Sequence, residues 1–290
     1  MPAKYVVSED VCRLLPGWSE PRGFTVPTNG PLHKFRLEMK RELERIFGAN
    51  NVDVIRAEVI ASGLQRLTED LALPLVSLER SYHDDAAHHL HVNRTVDEQL
   101  TDRGISHRFG SEPLERQVED IAQSGAKEVA LVDDVIFSGQ GLLSMIQLLA
   151  LSGVRVPIVV AGVAIGKGKG RLESHGLEVR HVVYYSEVID EVCERDFCPG
   201  VPLSGRSLHG ARRDIGVPYI KPFGQPALWA SIPASQETVF SRHCLNITGD
   251  LWEAIGQESG RGVRCCDLER LPLGAPHDET PFVEYLRGLN

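Results

Sequence analysis

The sequence predicts an α/β fold: a doubly wound, mostly parallel sheet of about five strands, with a helical N-terminal arm and a C-terminal hood or extension. Three stretches carry this expectation. "VDVIRAEVIASGLQRLTEDLALPLVSLERS" repeats a strand, loop, helix, strand pattern, and "EVALVDDVIFSGQGLLSMIQLLALSGV" runs from an apolar strand through a glycine loop into a helix. "VPIVVAGVAIGKGKG" is a further apolar strand ended by a glycine and lysine turn. Such near-continuous β-branched runs are expected of strands covered on both faces.

Taken in order, residues 1–30 hold several prolines and little periodicity, which suits an arm or cap. Pro31 to Phe47 is predicted helical, with Leu32, Phe35, Met39, Leu43 and Ile46 on one face and Gly48 just beyond. The arm and helix therefore span 1–50, and the βα core spans 51–205. Tyr82 to Ser111 is polar and histidine-rich, and so long a polar segment inside a domain is usually functional or mobile. Glu128 to Val132 is the strand of the central unit; Leu142, Leu143, Ile146, Leu149 and Ala150 recur at helical spacing, with Gly153 where that helix ends. "LEVRHVVYYSEVID" supplies another strand, and "EVCERDFCPGVPLSGR" is a proline and glycine loop. Residues 206–290 show no βα repeat; "LNITGDLWEAIGQES" suits a capped helix, and the apolar content of the extension implies that it packs on the core.

The chemistry concentrates in the central unit. Ser138, Gly139, Gln140 and Gly141 lie at a helix entry, where unpaired N–H groups and the helix dipole favour a phosphate. Asp133 and Asp134, just before them, would repel that phosphate unless they face something else, and adjacent carboxylates suit ribose hydroxyls or a divalent cation. The ligand so implied is a sugar phosphate. A Walker loop is absent, and the near dinucleotide fingerprint of Gly139, Gly141 and Ser144 has its acids before the loop instead of on the next strand. An ordinary turn with solvated aspartates is the plain alternative.

"VALVDDVIFSGQG" resembles the signature of the type I phosphoribosyltransferases, and the order of elements supports the resemblance over roughly residues 52–200. The resemblance implies that Asp133 and Asp134 hold the ribose of phosphoribosyl pyrophosphate (PRPP) and that Ser138, Gly139, Gln140 and Gly141 cradle its 5′-phosphate. It further implies a pyrophosphate loop at Ala61, Ser62 and Gly63, and a mobile loop over Tyr82 to Ser111 whose Arg94, Arg103 and Arg108 are candidates to approach pyrophosphate. Lys167, with Lys169, falls near a lysine that some purine-type members use for the base, though a solvated turn accounts for both. Asp196 and Phe197 occupy the position of the hood and suit base recognition by hydrogen bonding and stacking, against the simpler reading of a packed surface loop. Mg²⁺ would enter through the substrate, with Asp133 and Asp134 nearby, and a homodimer is compatible with the family. Two departures stand out: Phe137 cannot accept a proton where some members place an acid, and Gly141 replaces a frequent threonine.

Composition sets outer bounds. With 42% hydrophobic and 24% charged residues, the 290-residue chain is ordinary for a soluble globular protein. A net charge of -9 argues against a nucleic-acid surface, and no apolar run approaches membrane-spanning length, so a cytoplasmic location is the expectation. The cysteines, Cys12, Cys193, Cys198, Cys244, Cys265 and Cys266, are expected to be reduced thiols, since "CERDFC" and Cys265-Cys266 lack zinc-knuckle spacing. His83, His88, His89 and His91 beside Asp84 and Asp85 could bind a transition metal, but solvated loop histidines are the simpler reading.

The functional expectation is a Mg²⁺-dependent phosphoribosyltransferase that moves ribose 5-phosphate from PRPP to a nitrogen nucleophile. The alternatives are a regulatory module that senses PRPP or a nucleotide without turnover, and an NAD-dependent oxidoreductase.

Overall fold

The computed structural model describes residues 3–27 and 30–289. The chain opens with β1 (Lys4–Ser8), α1 (Val11–Ser19), α2 (Pro31–Phe47) and β2 (Val52–Ile55). It continues through α3 (Ala57–Thr68), β3 (Leu75–Ser77), β4 (His88–His89), β5 (Val92–Val96), β6 (Asp102–His107) and α4 (Leu114–Gln123). The central elements are β7 (Glu128–Ile136), α5 (Gln140–Leu151), β8 (Arg155–Ile165), α6 (Gly166–Ser174), β9 (Glu178–Tyr185) and β10 (Val188–Cys193). Last come β11 (Arg206–Leu208), β12 (Ile215–Val217), α7 (Pro226–Trp229), α8 (Glu237–Glu258), β13 (Leu271–Pro272) and α9 (Phe282–Arg287).

These elements divide into two compact units. One comprises residues 55–94 and 104–188, and its sheet runs in the order β4-β3-β7-β8-β9. Every pairing in that sheet is parallel: Val76 lies opposite Leu131, Leu131 opposite Val159, and Val159 opposite Val179. The α/β class and the mostly parallel five-stranded sheet expected from the apolar runs are therefore present. Both faces are covered. On one, α4, α5 and α6 bring Val118, Ile121, Leu142, Met145, Leu149 and Leu172 into a core with Val129, Leu131, Val159 and Ala161. On the other, α3 lies against β8 and β9, where Ile60 meets Gly162 and Gly63 meets Val182. Double coverage is why β7 and β8 lack the alternation of a half-exposed strand.

The other unit comprises residues 1–54, 95–103 and 189–290. Segments that the sequence presents as separate additions share a single core here, in which Tyr5, Leu15, Trp18, Phe35 and Met39 cluster with Phe197, Phe240, Trp252 and Phe282. Helix α2 has the expected bounds, since its apolar stripe is regular and Gly48 follows it at φ +97°. Helix α8 begins eight residues before the stretch from Leu245 that suggested it. Among the described residues no helix is long and apolar enough to cross a membrane. Among the described residues Cys12, Cys193, Cys198, Cys244, Cys265 and Cys266 form no disulfide.

Three expectations need correction. Ala61, Ser62 and Gly63 do not form a loop: they lie inside α3, where Ser62 Oγ donates to the Glu58 carbonyl at 2.7 Å. The small residues answer a packing demand, because a Cβ on Gly63 would fall 2.3 Å from Val182 Cγ1. Lys167 and Lys169 likewise sit in α6 and not in a turn, and the glycines around them permit close approach, with a Cβ on Gly168 falling 2.5 Å from the Phe137 carbonyl oxygen. The polar segment from Tyr82 to Ser111 is no featureless loop: it contains β4 and a β5–β6 hairpin closed by Asp97, whose N–H donates to the Thr101 carbonyl at 3.1 Å.

Candidate functional site

Strand β7 occupies the middle of the parallel sheet, and its carboxyl end presents Asp133 and Asp134, both half-buried. Open α/β sheets bind ligands at this end of the strands. Asp134 N–H donates to Asp133 Oδ1 at 3.1 Å, and Val135 N–H donates to Asp134 Oδ1 at 2.8 Å. Burial, then the charge of Asp134, pushes the Asp133 carboxyl well above its ordinary range; Glu79 adds to the effect and Arg108 opposes it. A buried acid that is costly to ionise is stabilised by hydroxyl donors or by a cation.

Glu79 was not anticipated. It follows β3, is 3% exposed, and accepts the N–H groups of Tyr82 at 2.8 Å and His83 at 2.5 Å, together with that of Ser81. Burial raises its pKa to about 7, with Asp134 also contributing and the backbone donors opposing. Its carboxylate therefore fixes the course of the chain from Ser81 to His83 and places a third acid near Asp133 and Asp134.

The loop after β7 is short and braced. Gly139 takes φ +73°, ψ -6° as it enters α5, a left-handed conformation that favours glycine, and a Cβ there would lie 3.0 Å from the Gly168 carbonyl oxygen. Ser138 Oγ accepts the N–H of Gln140 at 3.3 Å, and Arg171 Nη1 donates to the Ser138 carbonyl at 2.7 Å. The first turn of α5 thus has fixed amides whose intrahelical acceptors are missing by construction. At Gly141 a Cβ would fall 2.8 Å from Ile105 Cδ1, so the larger residue frequent in the resembled family is excluded by Ile105 unless that side chain moves.

Of the arginine candidates, Arg108 belongs to this unit and acts on Asp133. Its Nε donates to the Val92 carbonyl and its Nη2 to the Leu78 carbonyl, each at 2.8 Å. Arg94 is exposed on β5. Arg103 belongs to the other unit, where it pairs with Asp97 at 2.7 Å. Lys167 is exposed in the first turn of α6, beyond the carboxyl end of β8. Lys169 is ion-paired with Glu173.

Phe197 and Asp196 belong to the other unit. Phe197 is fully buried, edge-on to Phe240 with centroids 4.9 Å apart, and Asp196 Oδ1 accepts the Gly205 N–H at 2.9 Å. A ring enclosed on all sides cannot stack on a base, so its assignment to base recognition is corrected. Phe137, at the head of the loop, is the aromatic exposed there, at 36%.

No protein-family model matches the chain, and no curated protein does. Solved structures of phosphoribosyltransferases match part of it. Orotate phosphoribosyltransferase from Mycobacterium tuberculosis H37Rv, crystallised with inorganic phosphate, is 17% identical with a TM-score of 0.28, over 44% of this chain and 70% of that one. The same enzyme in complex with PRPP is 16% identical with a TM-score of 0.27, over 55% and 92%. Adenine phosphoribosyltransferase from Thermoanaerobacter pseudethanolicus is 15% identical with a TM-score of 0.31, over 44% and 79%.

Proposed function

We propose that the parallel-sheet unit binds PRPP and transfers its ribose 5-phosphate to a nitrogen nucleophile, releasing pyrophosphate. One observation carries this reading: two adjacent carboxylates end the central strand, and a glycine loop braced by Arg171 follows at once into the amino end of α5. The amides of Ser138 to Gly141 suit the 5′-phosphate, and Asp133 and Asp134 suit the ribose 2′ and 3′ hydroxyls. In the transfer the acceptor lone pair forms a bond to ribose C1, the C1–O bond breaks, and pyrophosphate leaves with the electron pair. The acceptor proton passes to solvent, since Phe137 offers no basic atom.

Mg²⁺ is part of this proposal. Among the described residues no group of three or more His, Cys, Asp or Glu side chains could hold a metal unaided. Mg²⁺ commonly binds through one or two carboxylates and substrate phosphates, so the donor set fits a cation brought in by pyrophosphate with Asp133 or Asp134 beside it. When bound it would neutralise charge on the leaving group.

The experiment is pyrophosphate release from PRPP and Mg²⁺ across a panel of purines, pyrimidines and simple amines. Turnover with any acceptor, lost in Asp133→Asn/Asp134→Asn, supports transfer. The absence of a proton acceptor at Phe137 favours a second reading, a PRPP sensor; tight binding with no release across the panel would select it.

A further inference from the structure

Helices α2 and α8 both belong to the unit of residues 1–54, 95–103 and 189–290, and they run antiparallel. His243 Nε2 of α8 donates to the Glu38 carbonyl of α2 at 3.1 Å. One turn back along α2 and two turns on along α8, Lys34 Nζ donates to Asp250 Oδ2 at 2.9 Å. At that pair, toward the start of α2 and the end of α8, a cavity of about 570 Å³ lies between the helices.

The spacing of its lining residues follows from helix geometry. Ile247, Asp250, Ala254 and Gln257 recur every three or four residues and form one face of α8, as Pro31, Lys34 and Phe35 do on α2. Phe35 and Ile247, 2% and 7% exposed, make a floor continuous with the core of the unit, and Pro31 and Ala254 are half-buried beside them. The rim is charged and open: the Lys34 and Asp250 side chains are 64% and 49% exposed. Glu253 also lines the cavity and pairs with Arg287 of α9 at 2.6 Å.

Both signs of charge therefore stand over an apolar floor, and this narrows the guest. Asp250 and Glu253 disfavour a phosphate or any other polyanion, and Lys34 with Arg287 disfavours a polycation. The complementary guest carries one anionic and one cationic group close together on an apolar body. An exposed ion pair contributes little to stability, so parting Lys34 from Asp250 costs little, and each side chain regains a partner of opposite sign from the guest.

We propose that this cavity binds a free amino acid with a large apolar side chain, its α-carboxylate paired with Lys34, its α-ammonium with Asp250, and its side chain laid on Phe35, Ile247 and Ala254. The volume lies within the ordinary range for sites that enclose small molecules. A peptide terminus would offer only one of the two charges. The site is independent of the phosphoribosyl reading, since none of its residues belongs to the parallel-sheet unit.

The test is an NMR titration of the full chain with L-phenylalanine, L-leucine and L-tryptophan, read at the backbone amides of Phe35, Ile247 and Ala254, with calorimetry for the affinity. Saturable shifts at those amides are expected, with a Kd of about 1 mM or tighter, while the amides of Gly139 and Gln140 stay in place. N-acetyl-L-phenylalanine and L-phenylalaninamide each keep the ring and one charge, and should bind about tenfold more weakly or worse. Lys34→Gln and Asp250→Asn, at exposed positions where the fold is preserved, should each weaken L-phenylalanine by a similar factor. Ala254→Trp, which fills the cavity, should abolish binding with the far-UV circular dichroism unchanged. The absence of saturable shifts with every amino acid tried would overturn the proposal. So would equal affinity for the acetylated and amidated derivatives, the mark of an apolar groove indifferent to charge, or L-phenylalanine binding that survives both charge substitutions.

Discussion

Arg171 in α6 donates a 2.7 Å hydrogen bond to the carbonyl oxygen of Ser138, the first residue of the candidate phosphate loop. Together with the approach of Gly168 to the Phe137 carbonyl, this ties the loop to the helix that follows the next strand. A phosphate site made of backbone amides depends on the placement of those amides and not on side-chain identity, so its supports should matter as much as its members.

Loosening the brace should therefore weaken phosphate binding without removing a ligand contact. Arg171→Gln is expected to reduce PRPP affinity about three- to tenfold, or about 1 kcal/mol, the size of one hydrogen bond. Gly168→Ala, which drives a methyl group into the Phe137 carbonyl, is expected to cost more. Isothermal titration of both variants checks this, with far-UV circular dichroism to confirm folding.

The acid cluster should cost stability in the empty protein. Burial raises the pKa of Asp133, and that of Glu79 to about 7. A group raised in the folded state contributes stability that is complete below its unfolded pKa and lost as pH rises through the folded value. Asp133→Asn removes that loss. Its melting temperature should exceed the wild type's at about pH 8 by about 2–4 °C and match it near pH 4, while PRPP binding is lost. Asp10 in the other unit, also raised to about 7 by burial, titrates in the same range but is common to both proteins and cancels.

Helix α3 separates packing from ligand contact. Gly63→Ala should destabilise the unit by about 1–3 kcal/mol, because Val182 must yield to the new methyl group. Ser62→Ala, exposed and bonded only within its helix, should leave PRPP affinity within about twofold of wild type. A large loss of affinity in Ser62→Ala would restore the loop reading of this segment.

At Gly141 the close neighbour is identifiable. Gly141→Thr should weaken PRPP binding as the added side chain meets Ile105, and Ile105→Ala should recover most of that loss in the double variant. A coupling of about 0.5 kcal/mol or more in the double-mutant cycle checks the contact.

The legible parts of this chain were those written in local pattern. Helix α2 follows from an apolar stripe and a terminal glycine, and the β7–α5 unit follows from a continuous apolar run, an acidic pair and a glycine entry. Ala61 to Gly63 misled because small residues serve tight helix–sheet packing as well as turns, and only the position of Val182 distinguishes the two. Phe197 misled because a loop rich in proline and glycine gives no sign that its aromatic ring is buried against Phe240. Glu79 and Arg171 had no signature in the local pattern: Glu79 meets Asp134, and Arg171 meets Ser138, only through the packing of separate strands and helices. The shared core of residues 1–54 and 189–290 was equally hidden, since nothing in either segment names the other.

The central claim is that Asp133 and Asp134 hold the sugar of a phosphoribosyl ligand. Its most direct measurement is isothermal titration of PRPP with Mg²⁺ into the wild type and Asp133→Asn/Asp134→Asn, with NAD as the control ligand. The account predicts saturable binding to the wild type, a loss of about a hundredfold or more in the double variant, and no NAD binding to either. Equal PRPP affinity in both proteins, or NAD binding that survives the double substitution, would contradict it.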